Sequence, residues 1–107
     1  MPMESIRIEL RAVIYPDDGC WIAHCLELDI AAEGSSPIEA AESLVSLCDY
    51  QIDNAIQHGD LNTIFRPAPP EIWSLYAKAK DTKAMLKPGH GPTNRINRFE
   101  ARELCPT

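Results

Sequence analysis

From Ser5 to Tyr15 apolar and polar residues alternate: Ile6, Ile8, Leu10, Ala12 and Ile14 share one parity, Arg7, Glu9 and Arg11 the other. A period of two predicts a half-buried strand. Pro16-Asp17-Asp18-Gly19 combines a fixed φ, two turn-capping side chains and a residue that tolerates positive φ, so the chain reverses there. A second strand over Cys20 to Glu27 completes a hairpin. With all four turn residues in the loop, Tyr15 pairs with Cys20, Ile14 with Trp21, Ala12 with Ala23 and Leu10 with Cys25. A loop one residue shorter would face Ala12 with His24, and the first register is preferred because it keeps the apolar face continuous. It sends Cys25 to the core, Cys20 and His24 to the opposite face, and makes Arg11 the cross-strand neighbour of His24.

Asp29 to Glu33 can form a third strand, ended by Gly34. Ser36-Pro37-Ile38-Glu39 then has the marks of a helix start: a Ser N-cap, Pro at the first helical position and a Glu three residues after the cap. Ile38, Ala41, Val45, Cys48, Ile52, Ala55 and Ile56 recur at three- and four-residue spacing up to His58-Gly59, which predicts a long amphipathic helix of about 22 residues. Leu47 and Tyr50 project from its far side and are candidate contacts for a second subunit or a partner. After the stiff connector Arg66 to Pro70, Glu71 to Lys80 reads as a short helix that packs Ile72, Trp73, Tyr76 and in one reading Leu75. Lys87 to Pro92 reads as a loop. Asn94 to Leu104 fits a strand with Asn97, Phe99 and Ala101 on one face and Arg98, Glu100 and Arg102 on the other; a short helix or a disordered tail is the competing account.

These elements fit one small domain, with residues 1–80 as its main body and 81–107 as a loop and a strand or tail of the same unit. The charge is divided. Residues 1–66 carry three Arg and no Lys against twelve Asp or Glu, a net of -9, while residues 67–107 carry seven basic against four acidic side chains, a net of +3. Such a main body cannot replace the counterions of a polyanion, so it is not expected to bind nucleic acid. A basic protein would be steered towards it. The opening MPMESIRIEL is charged where a secretion signal needs apolar residues, and no run is long enough to span a bilayer, so the expected location is cytoplasmic with no membrane contact.

Candidate chemistry gathers in Asp17 to Ile30, DDGCWIAHCLELDI. Cys20 and Cys25 have four residues between them and project oppositely, a poor start for a zinc site. His24 lies about 13 Å from Cys20 along an extended strand, too far for a nucleophile–base pair. His58 and His90 sit at a helix end and in a Pro/Gly segment, with nothing tying them to His24. Glu27 and Asp29 are candidates for an acid/base pair, but a solvated face is the preferred reading. No cofactor, metal or catalytic residue is assigned, and the four cysteines at 20, 25, 48 and 105 are expected to be free thiols. The expectation is a protein that is not an enzyme, with candidate interface residues Leu47, Tyr50, Trp73, Tyr76, His24 and Arg11.

The run D-G-C-W-I-A (Asp18 to Ala23), then L-E-L-D (Leu26 to Asp29), A-E-G-S-S-P-I-E-A-A (Ala32 to Ala41) and a long amphipathic helix resembles the HicB-like antitoxin domain. The likeness covers about residues 6 to 58, and Leu28-Asp29 stands where that family usually has Pro-Gly. It implies an α+β fold in which a three- or four-stranded antiparallel sheet carries one main helix on one face, similar to a double-stranded-RNA-binding fold but not used on RNA; the short helix and the C-terminal strand would be additions. It also implies binding to a small basic RNA-cleaving toxin, with no catalytic role for any motif residue. The chain after Lys80 is too short for the operator-binding module of a complete antitoxin. The functional expectation is a protein-interaction module that self-associates as a dimer or tetramer and binds a small basic partner. The alternative is a stand-alone regulatory or ligand-binding domain without a toxin partner.

Overall fold

The computed structural model describes residues 7–81, 92, 93 and 95–104. Residues 5 and 6 of the first expected strand, His90 with most of the expected 87–92 loop, and Cys105 lie outside the described residues. The chain folds as an α+β unit: β1 (Glu9–Asp17), β2 (Cys20–Cys25), β3 (Ile30–Gly34), α1 (Pro37–His58), a 3-10 turn (Leu61–Ile64), α2 (Pro70–Lys78), β4 (Lys80–Asp81) and β5 (Arg98–Glu103). The strands form one five-stranded sheet in the order β3-β2-β1-β5-β4.

The hairpin corrects the expected loop length. Asp17 pairs with Cys20, so only Asp18 and Gly19 are left in the turn, at φ 52° and 88°. Two successive residues with positive φ make the tight turn whose twist matches that of the flanking strands. The register therefore slides by two, to Ala12 opposite Cys25 and Ile14 opposite Ala23. Because side chains alternate with a period of two, a slide of two leaves every residue on its expected face. Its consequence falls on His24, which pairs with Val13 and not with Arg11.

The sheet is mixed, which corrects the expectation of a purely antiparallel one. β5 does return as a strand, but it runs parallel to β1, with Glu9 beside Arg98 and Ala12 beside Ala101. Its direction is set where it starts. Asp49 on α1 accepts backbone N–H bonds from Thr93 and Arg95, and Asn97 exchanges bonds with the backbone of Ile8, so the segment enters beside the beginning of β1.

Helix α1 starts as its sequence dictates. Ser36 Oγ accepts from the Glu39 N–H at 3.1 Å, while the Glu39 carboxylate reaches back past Ser36 to the N–H and hydroxyl of Ser35. Gly59, at φ 70°, ends the helix. Ala41, Val45, Cys48, Ile52 and Ala55 are buried as the periodicity requires; Ile38 is 46% exposed, and Ala40, Leu44 and Asp49 complete the buried stripe. Against it lie Leu10, Ala12, Ile14, Ala23 and Cys25 of the sheet. The approach is tight at Gly34, where any Cβ would run into the Ala40 backbone. The opposite sheet face has a smaller core of its own, Val13, Leu26, Tyr76 and Ala79 with Ile72, Trp73 and Leu75 packed around it. Helices thus cover both faces, α1 one and α2 part of the other.

Candidate interaction surfaces

Alternation along β1 presents Glu9, Arg11 and Val13 to the face that α2 partly covers, and the parallel register sets Arg98, Glu100 and Arg102 beside them. Opposite charges thus stand in register at two cross-strand positions, Glu9 beside Arg98 and Arg11 beside Glu100, while the ion pairs run along the strands, Arg7 Nε to Glu9 at 2.5 Å and Arg98 to Glu100 at 3.8 Å. Glu27, in the turn after β2, adds a third carboxylate: it accepts from the Arg11 backbone N–H at 2.8 Å and from Arg11 Nε at 2.7 Å. That bond, with the charge behind it, raises the Arg11 pKa above its ordinary value. Glu9, Leu10, Arg11, Glu27, Arg98 and Glu100 line a cavity of about 290 Å³.

Two guanidinium groups tie α2 to this face. Arg11 lies 4.8 Å from the Trp73 ring centre, and Arg102 lies 4.4 Å from that of Tyr76. Trp73 Nε1 donates to the Ala68 carbonyl at 3.1 Å, and Ala68 N donates to the Leu26 carbonyl at 2.8 Å. The helix is therefore seated by a hydrogen-bonded connector as well as by its apolar side chains. Tyr76 is 8% exposed and its hydroxyl pKa is raised, first by burial, so this residue belongs to the α2 core rather than to open surface. Trp73 is half-buried, with one side against Arg11.

His24 is held apart from that cavity. Its Nε2 is 2.7 Å from Asp29 Oδ1, and Asp29 sits in the β2–β3 turn at φ 54°. The two carboxylates weighed as an acid/base pair thus have different partners, Glu27 with Arg11 and Asp29 with His24. The thiols are separated too. Cys25 and Cys48 are fully buried in the α1 core, where contact between them lowers the Cys25 pKa and raises that of Cys48. Cys20 is partly exposed and bonds the Asp17 carbonyl at 3.1 Å; desolvation first, then the carboxylates of Glu33, Asp17 and Asp18, raises its pKa. Among the described residues no group of three or more His, Cys, Asp or Glu side chains is placed to hold a metal ion.

Leu47 and Tyr50 are on the outer side of α1, 39% and 58% exposed, and border a shallow depression with Glu42, Ser43 and Ser46. The candidate interface residues therefore divide between two surfaces on opposite sides of the sheet. Sequence reasoning did not single out Glu9, Arg98 and Glu100, because their meeting with Arg11 depends on the parallel register. Nor did it mark Asp49, whose signal was a carboxylate standing among Val45, Cys48 and Ile52 on the apolar stripe.

Comparison with family models, curated proteins and solved structures finds no match to this chain.

Proposed function

We propose that this protein is a non-enzymatic interaction module, resembling a HicB-type antitoxin, that self-associates and binds a small basic protein in the cytoplasm. The observation that carries the reading is the charge of the main body, a net of -9 over residues 1–66, together with a cavity that Glu9, Glu27 and Glu100 line beside Arg11 and Arg98. Interfaces built this way gain on-rate and selectivity from complementary charge. A basic side chain entering that cavity would meet carboxylates already held by Arg7, Arg11 and Arg98, so little ordering would be needed on binding. Among the described residues no helix is long and apolar enough to cross a membrane.

The cavity itself favours a second reading, in which the domain binds a small molecule carrying both charges and has no protein partner. A tagged pull-down from lysate of the native host, with mass spectrometry of the eluate, separates the two. A small basic protein recovered in stoichiometric amount supports the first. Recovery of the chain without such a protein contradicts it and moves the search to small ligands.

A further inference from the structure

The two borders of the sheet are unlike. On one side β5 and the two-residue β4 cover β1. On the other side β3 bonds β2 and, among the described residues, no backbone hydrogen bond reaches it from outside. Sheet borders usually discourage pairing with lysine, proline or a bulge. Ile30-Ala31-Ala32-Glu33-Gly34 has none of these and a single charge, at Glu33.

We propose that β3 pairs antiparallel with β3 of a second copy about a two-fold axis through Ala32, joining two sheets into one. The inference rests on the self-association proposed above and assigns it a surface and a register. Charge selects the register. A two-fold axis centred on a residue keeps α1 of both copies on one face of the joined sheet, because paired residues then have the same parity. A centre between two residues would set the apolar face of one copy against the solvent face of the other. Centred on Glu33, the pairing puts two carboxylates directly opposite; centred on Ala31, it puts Glu33 opposite Asp29. Centred on Ala32, it pairs all five strand residues, sets Glu33 opposite Ala31 and sets Ile30 opposite Gly34. Like charges directly opposite destabilise a strand pair, so only the last arrangement is free of that cost. Ala31 and Glu33 are both exposed, so the side chains that this register sets opposite each other project to solvent and not into an apolar core.

The test is the mass in solution, by size exclusion with light scattering, of the wild type, Ala31→Glu and Ala31→Glu/Glu33→Lys, with circular dichroism to check that each is folded. The wild type should be a dimer or a multiple of one. Ala31→Glu creates a like-charge pair at both ends of the contact and should raise the dimer dissociation constant about tenfold. Adding Glu33→Lys turns both pairs into opposite charges and should restore the dimer. A wild type that stays monomeric at the highest soluble concentration overturns self-association itself. A dimer whose dissociation constant neither variant moves overturns the β3 contact alone, and points to the Leu47/Tyr50 face.

Discussion

Asp49 is the fully buried carboxylate of the apolar stripe on α1, and its two oxygens accept from the backbone N–H groups of Thr93 and Arg95. Those bonds fix the start of β5 against the helix; the neighbouring Asp53 holds the Arg95 side chain at 2.8 Å near the surface. Removing a buried acceptor leaves both donors unsatisfied, so Asp49→Ala should cost about 2–4 kcal/mol in urea denaturation. Asp53→Ala, which breaks a solvated ion pair, should cost less than about 1 kcal/mol. Equal losses at the two positions would contradict this division. The thiols give a second residue-scale prediction. Maleimide should modify Cys20 in the native protein while Cys25 and Cys48 react only on unfolding. Since the thiolate is the reactive form and the Cys20 pKa is raised, its labelling should lag a free thiol near neutral pH and speed up as pH rises. Periodicity makes the burial of Cys25 and Cys48 legible in the sequence. It does not reveal Asp49, because a carboxylate is at home on a buried stripe only when a distant segment supplies its donors.

Among the elements, α1 was the most legible, since Ser36, Pro37, Glu39 and Gly59 are local signals for its two ends. The faces of the hairpin were legible as well, and survive the two-residue slide, but its loop length was not. That depended on Asp18 adopting positive φ beside Gly19, which an aspartate does less often than a glycine. The strand character of residues 98–103 could be read from alternation, whereas its parallel direction required Asp49 and Asn97 to meet it. The α1 backbone at Ala40 leaves no room for a Cβ at Gly34, so Gly34→Ala should force α1 away from β3 and destabilise the protein by about 1–3 kcal/mol in thermal or urea unfolding. Ser36→Ala, which removes the N-cap acceptor but leaves the packing intact, should cost about 1 kcal/mol. A Gly34→Ala variant as stable as the wild type would mean that the two layers separate easily, contrary to the contact described.

At the scale of the whole molecule, a sheet with α1 on one face and α2 on part of the other offers partners, among the described residues, the outer side of α1, the β3 border and the charged cavity of the α2 face. Composition alone makes the acidic character readable, and with it the expectation of a basic partner. The position of the charge was not readable, because Glu9, Glu27 and Glu100 come from three distant parts of the chain. The central claim is that these carboxylates recognise a basic protein. It is tested most directly by running the wild type and a Glu9→Lys/Glu100→Lys variant side by side in the same pull-down. Both positions are on strands and outside the apolar cores, so the variant should fold. The account predicts a stoichiometric small basic protein with the wild type and its loss, by about tenfold or more, with the variant. Equal recovery with both proteins, or no basic partner with either, would contradict it.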